Sequence, residues 1–220
     1  MCYSQTTSII SYTVGMLSAI FAFFTGQYVL GMLVLFYSQM QLSELMIWKG
    51  IDDGDIGLDG KGTAYGKYLL PTHNIAIGLG FLLAVYMSGN KIKVKDFLPL
   101  IVGIVFYLYI ILFVYSPQDP DTTYPVNKSC MDKSCQNNEN RLKWPFPHAW
   151  YAYSFVISLI FLVICVSSLR SKIFLGVFFS ITFILAITIY PKSVGSVWCF
   201  STAILAPLAV FGNYYFMNSQ

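Results

Sequence analysis

The chain has 220 residues, of which 56% are hydrophobic and only 10% charged, and its net charge is +3 at pH 7. A soluble fold is excluded because so apolar a surface would aggregate in water, and the small, scattered net charge excludes nucleic acid as a partner. The length allows a single transmembrane domain over residues 1–220, with one sizeable loop and no second domain with its own core.

Seven apolar runs follow one another along the chain, and each meets or approaches the ~20 residues that span a bilayer as a helix. The predicted fold is therefore an all-α, seven-span transmembrane helix bundle whose first partner is the lipid bilayer. The spans cover residues 8–25, 27–48, 69–88, 97–115, 149–168, 171–190 and 194–216, and a polar loop covers 116–147.

The N-terminal segment has no basic region, and no convincing cleavage site follows the first run, so the first helix is expected to stay in the mature protein. Gly26 separates the first two runs and predicts a tight helical hairpin, since such a turn needs a residue without a Cβ. Cys2 would follow a removable Met1 and could ligate a metal or accept a lipid. We favour the alternative that it is an ordinary interfacial thiol.

The second run places Tyr37, Gln41, Glu44 and Trp48 on one helical face, because their offsets follow the helical repeat. Glu44 is the only acidic residue within the seven runs. An intramembrane carboxyl costs a few kcal/mol unless it is paired, hydrated or protonated. Glu44 therefore marks a candidate functional site, with Gln41 and Trp48 beside it.

His73 lies near the start of the third run, on the side of the membrane where the second run ends. Counting from the ends of the two runs, we expect Glu44 and His73 at similar depth, as an acid and its titrating partner. Cys199 lies early in the seventh run, which starts from the same side, and Cys2 precedes the first run there. The sequence therefore predicts a polar cluster in one half of the bundle.

The polar loop 116–147 contains the sequon Asn127-Lys128-Ser129 and the cysteines Cys130 and Cys135. In a lumenal or external loop Asn127 could accept a glycan, and the two cysteines could close a small disulfide ring. The alternatives are a chance sequon and two free thiols, or half of a metal site.

Three interpretations of the intramembrane cluster remain open. It is a structural network that fixes helix packing, a site for an ion, proton or small polar solute, or a metal site. In the third interpretation zinc or copper is the cofactor, because carboxylate, imidazole and thiolate ligate both metals. The candidate metal ligands are Glu44, His73, Cys199 and Cys2.

The orientation follows from the short links between runs, where Lys and Arg resist translocation most strongly when they stand close to helix ends. Lys91, Lys93 and Lys95 lie in one short link, and Arg170 and Lys172 lie in another on the same side. We place these links in the cytosol, although the two larger loops on the opposite side hold more basic residues and most of the acidic ones. The N-terminus is then outside or lumenal and the C-terminus cytosolic.

Several of the cluster residues also belong to motifs that resemble those of a group of membrane proteins. The opening Met-Cys-Tyr-Ser, the Gln41-x-x-Glu44-x-x-x-Trp48 stripe and Trp198-Cys199-Phe200 resemble a group of uncharacterised multi-pass membrane proteins of bacteria and large DNA viruses. Members of that group begin Met-Cys-Phe-Ser-Ala-Thr, from which Tyr3 and Gln5 depart. The resemblance implies a multi-pass fold and strengthens the choice of Cys2, Gln41, Glu44, Trp48 and Cys199, but it implies no activity.

The function that the sequence favours is the binding or movement of a small polar solute, ion or proton at the Glu44 and His73 site. One alternative is a metal-dependent intramembrane enzyme, which the lack of a dense ligand motif disfavours. The other is an architectural or partner-binding membrane component, for instance of a virus.

Overall fold

The structure is a computed structural model that describes residues 4–115, 124–125, 142–144, 148–189 and 194–218. Over these residues the regular secondary structure is helical apart from one pair of two-residue strands. The predicted all-α class is confirmed.

The helices lie in the following chain order. They are α1 (Gln5–Phe24), α2 (Tyr28–Asp53), α3 (Ile56–Leu69), α4 (His73–Met87), α5 (Leu98–Tyr109), α6 (His148–Cys165), α7 (Leu169–Ile189), α8 (Val194–Ile204) and α9 (Ala206–Asn218). Tighter 3-10 turns, Leu70–Thr72 and Val94–Phe97, precede α4 and α5, and the π-helical turn Ile110–Val114 extends α5. Strands β1 (Tyr124–Pro125) and β2 (Leu142–Lys143) pair antiparallel.

Five helical segments in the described part of the chain are long and apolar enough to cross a membrane. They are Gln5–Phe24, Tyr28–Asp53, Ile56–Met87, Val94–Val114 and Leu169–Ile189. A sixth is obtained if α8 and α9, which are bent by 51° at Leu205, form one span. The shorter apolar segment Val156–Cys165 belongs to α6. These helices indicate an integral membrane protein with several spans.

The hairpin of α1 and α2 forms for the reason that the sequence indicates. Gly26 has φ 76°, a left-handed conformation that costs a residue without a Cβ little. At the other end of the hairpin, Gln5 Nε2 donates to Asp52 Oδ2 at 2.8 Å, so the start of α1 lies beside the end of α2. Gly54, with φ 69°, then ends α2.

Helix α3 lies largely between the second and third predicted spans, over residues 49–68, where no helix is predicted from the sequence. Its N-terminus is capped by the Asp55 side chain, which accepts from the Leu58 N–H at 3.0 Å. Its glycines let it pack closely on the last turns of α2: a Cβ on Gly62 would lie 3.0 Å from the Ile47 backbone nitrogen. Its apolar periodicity is weak because glycines stand at contact positions, so the pattern alone does not reveal the helix.

Several connections meet at one end of the bundle, which we call the Gly26 end. A cavity of about 280 Å³ there is lined by residues of the first hairpin turn, the end of α4, the α6–α7 link and the end of α9, among them Gly26, Ser88, Ser167 and Met217. The opposite end, where Gln5 meets Asp52, is the Gln5 end. The short links that the sequence assigns to one side of the membrane are therefore together.

A buried amide pair ties the first hairpin to α9 near the Gly26 end. Asn213 Nδ2 donates to Gln27 Oε1 at 2.7 Å, and Gln27 Nε2 donates to the Val210 carbonyl at 3.1 Å. Both side chains are buried. Such interhelical bonds hold membrane helices together where the hydrophobic effect is weak.

Replacing Asn213 by Leu is expected to lower the free energy of unfolding in detergent by about 1 kcal/mol or more, because Gln27 Oε1 loses its buried donor. Thermal unfolding of the purified protein measures the change. The matched control is Asn218→Leu on the same helix, where the exposed amide donates to the Tyr214 carbonyl. Equal losses in both variants would contradict the assigned role of the pair.

Candidate functional site

The stripe on α2 is buried in the centre of the bundle, as its spacing predicts. Gln41 and Glu44 are 0% exposed, and Tyr37 and Trp48 are 3% exposed. α2 packs against α1, α3, α4 and α8, so the stripe faces protein and not lipid. A carboxyl at this position is buried inside the bundle, away from water.

Helices α1 and α8 approach the stripe through small side chains. A Cβ on Gly15 of α1 would clash with Ser38 Oγ of α2 and lie 3.6 Å from the Ala203 Cβ of α8. One turn away, Ser11 Oγ donates to Gln41 Oε1 at 2.6 Å. Small residues at such contacts allow backbones to approach, as is usual for helices in membranes.

The contact between Ser11 and Gln41 also fixes the level of Glu44 against α1. Because α1 and α2 are antiparallel, three residues forward on α2 correspond to three residues back on α1, which places Ser8 at the level of Glu44. Ser8 is 0% exposed, and its hydroxyl has no hydrogen-bond partner among the described residues.

Cys199 on α8 joins the cluster. It is 0% exposed, and Glu44 lies close enough to interact electrostatically with its thiol. The neighbouring Trp198 packs edge-on against Tyr37 with ring centroids 5.1 Å apart, and its Nε1 donates to Thr182 Oγ1 at 3.3 Å. These contacts orient α8 toward α2, on which Glu44 lies.

His73, at the start of α4, contacts Tyr37. The two rings are 4.2 Å apart in an edge-on arrangement, and the histidine is 3% exposed. Its Nε2 has no hydrogen-bond partner among the described residues. The structure thus connects His73 to the stripe through the tyrosine ring.

The register between α2 and the α3–α4 segment explains this position. Glycines mark the pairing: Gly62 packs on Ile47, Gly66 lies near Ser43, and Gly80 packs on Val29. In the same antiparallel register His73 lies opposite Tyr37, which is seven residues, or about 10 Å of helix rise, from Glu44. The predicted direct pairing of Glu44 with His73 is not among the contacts described here and stays a prediction.

Trp48 lies one turn beyond Glu44 toward the Gln5 end. Its indole Nε1 is buried and has no hydrogen-bond partner in the described part of the chain. Ser8 Oγ, His73 Nε2 and Trp48 Nε1 are thus three buried polar atoms without a hydrogen-bond partner among the described residues.

Trp144 belongs to the site's surroundings, although the sequence did not single it out. It follows β2, is 3% exposed, and its ring packs on Gly66 so closely that a Cβ there would clash. A Cβ on Gly66 would also clash with Ser43 Oγ of α2, which donates to the Gly62 carbonyl at 2.7 Å. In the sequence, the two large apolar residues Leu142 and Trp144 stand close together in an otherwise polar loop, and this pattern could have indicated that this part of the loop is buried.

The remaining candidate ligands are placed as follows. No group of three or more His, Cys, Asp or Glu that could hold a metal occurs among the residues the structure describes. Cys2, Asn127, Cys130 and Cys135 lie outside the described residues. The metal, disulfide and glycan predictions that depend on them therefore stay predictions.

The fold and the buried stripe define a class, an all-α integral membrane protein with several apolar helices and a polar cluster inside the bundle. Comparisons with protein-family models, with curated proteins and with solved structures returned no match to the chain. The resemblance to the bacterial and viral group consequently stays a prediction from the quoted residues.

Proposed function

We propose that the protein is a seven-span membrane protein that binds or moves a small polar solute, an ion or a proton at a buried site centred on Glu44. The seven spans are α1, α2, α3 with α4, α5 with its π turn, α6, α7, and α8 with α9. α6 has 18 residues and so reaches about 27 Å, close to the thickness of the hydrocarbon core.

The observation that carries the proposal is the set of buried polar atoms around Glu44. A purely structural network would satisfy its own hydrogen bonds. Here Ser8 Oγ at the level of Glu44, Trp48 Nε1 one turn away and His73 Nε2 beyond Tyr37 have no partner among the described residues. These atoms favour a site that a ligand or water completes over a network that only fixes packing.

The roles follow from the chemistry of each group. Glu44 supplies charge, which in a membrane interior is retained where it serves a function. Gln41, held by Ser11, orients the polar face, and Trp48 offers an N–H donor. His73 offers its imidazole Nε2, which has no partner among the described residues, to a ligand or to water.

The proposed orientation has the N-terminus outside or lumenal and the C-terminus in the cytosol. Lys91, Lys93 and Lys95 lie in the α4–α5 link and Arg170 and Lys172 at the start of α7, at the Gly26 end, and basic links of this kind favour the cytosol. The Glu44 site is then in the half of the bundle nearer to the non-cytosolic face.

The test is a flux screen with protein reconstituted in liposomes. Protons, alkali and alkaline-earth cations, and small polar solutes are presented separately, and uptake is compared with that of protein-free liposomes. We expect at least one probe to cross faster with protein present and to be saturable. Rates equal to those of empty liposomes for every probe, together with no saturable binding to the detergent-purified protein, would contradict the proposal.

The electrostatic interaction between Glu44 and Cys199 keeps a metal site as the second candidate. Elemental analysis of the wild type, Glu44→Gln and His73→Ala separates the two. Stoichiometric zinc or copper that Glu44→Gln loses would support the metal site, and equally low metal in all three proteins would remove it.

A further inference from the structure

A second feature, formed by residues outside the Glu44 cluster, is a groove on the outer face of the bundle. It has a volume of about 460 Å³ and lies between α7 and α9. Its lining is apolar except at one end, where Arg170 stands. The apolar lining residues are Ile173, Phe174, Val177, Phe178, Ile181 and Phe216.

The groove faces outward, toward where lipid lies in a membrane protein. Ile173, Val177 and Ile181 are each more than half exposed and lie four residues apart, so they form one ridge along α7. From Arg170 to Ile181 the helix rises about 16 Å, which is about half the thickness of the hydrocarbon core. The groove therefore runs from one membrane interface to near the bilayer midplane.

The aromatic wall of the groove is held in place by packing. A Cβ on Gly212 of α9 would clash with the Phe174 ring, so the glycine lets α7 and α9 approach. Phe174 then stacks at 5.1 Å from Phe216 and at 6.0 Å from Phe178. A rigid groove loses less entropy on binding than a flexible one.

The polar end of the groove is positively charged. Arg170 is exposed in the first turn of α7, where the helix dipole is also positive. The described α4–α5 link at this Gly26 end carries Lys91, Lys93 and Lys95 in addition, against the acidic Asp96. Clusters of Lys and Arg at a membrane interface attract anionic head groups.

We propose that this groove binds one anionic phospholipid, with its phosphate at Arg170 and one acyl chain along the ridge of Ile173, Val177 and Ile181. The length of the groove matches a chain within a single leaflet, and its charged end lies where the head group of such a lipid stands. The site depends on the membrane assignment and not on the activity proposed for Glu44.

The experiment is native mass spectrometry of the detergent-purified full chain, titrated with dioleoyl phosphatidylglycerol or dioleoyl phosphatidylcholine, which have the same chains. We expect the wild type to retain the anionic lipid about fivefold more strongly, the effect of one basic residue near a lipid surface. Arg170→Gln should abolish this preference. Lys172→Gln is the matched control, because Lys172 is not among the groove's lining residues, and should retain it.

A second pair of variants tests the groove itself. Val177→Trp fills it and should weaken retention of both lipids, whereas Ile184→Trp, on the same helix and similarly exposed, lies outside it and should not. Equal retention of the two lipids by the wild type, or an Arg170→Gln variant with unchanged preference, would overturn the proposal. So would a dimer of the wild type that Val177→Trp dissociates, since the occupant would then be a second copy of the chain.

Discussion

Replacing Glu44 by Gln is expected to reduce flux through the reconstituted protein to the level of protein-free liposomes. The amide keeps the size of the side chain but removes its charge and replaces one acceptor oxygen by an N–H donor group. If the carboxylate binds a cation, a proton or a polar solute in the membrane interior, the loss should exceed tenfold, or about 1.4 kcal/mol in binding or barrier. Initial rates at saturating and limiting probe concentration measure whether affinity or turnover changes.

The control for this substitution is Asp59→Asn, the same chemical change at another buried acid. Asp59 lies on α3 opposite Gly50, about six residues of α2 beyond Glu44, is 8% exposed and accepts from Thr63 Oγ1 at 3.2 Å. We expect it to retain flux. A folded Glu44→Gln protein with wild-type rates would disprove the role of the carboxyl, and equal losses in the two variants would assign the effect to stability.

Gly15→Ala is expected to lower the free energy of unfolding by about 1 to 3 kcal/mol, the usual cost of overpacking a tight contact. The new Cβ would clash with Ser38 Oγ and lie 3.1 Å from Ser38 Cβ, where α1, α2 and α8 meet. An alanine in a helix is otherwise more stable than a glycine by up to about 1 kcal/mol, so a loss has the opposite sign from the intrinsic propensity.

The matched control is Gly176→Ala on α7, where the nearest atom to the new Cβ is Val163 Cγ2 at 3.7 Å, an ordinary contact. Thermal unfolding in detergent should show this variant unchanged or slightly stabilised. The double variant Gly15→Ala with Ser38→Gly should recover part of the loss, because it removes the clashing side chain. Identical behaviour of the two alanine variants would contradict the close contact at Gly15.

The sequence predicts the second helix well and the third poorly, for a physical reason. The spacing of Gln41, Glu44 and Trp48 depends on helical periodicity within one element, which is local, and all three side chains are buried as predicted. The level of His73 depends on where its helix begins. The depth of His73 is predicted by counting residues from the start of the apolar run at residue 69. In the structure the helical segment begins earlier, at Ile56, and pairs with α2 through glycines.

Ser11, Cys199 and Trp144 show the same difference between what a local pattern predicts and what depends on tertiary contacts. The sequence predicts, from the alternation of spans, that Cys199 lies on the same side of the bundle as Glu44, and the two groups interact electrostatically. The Ser11 bond to Gln41 and the Trp144 contact with Gly66 depend on helix rotation and on a loop's path. Neither is encoded in hydropathy, which reports burial but not the facing residue.

The glycine contacts between α2 and the α3–α4 segment restrict how these helices can move. A Cβ on Gly50 would lie 2.5 Å from the Asp59 nitrogen, and one on Gly80 would lie 2.7 Å from the Val29 Cα. A slip by one residue would bring larger side chains against backbone at several points at once. Axial sliding between α2 and the α3–α4 segment is therefore opposed by steric overlap.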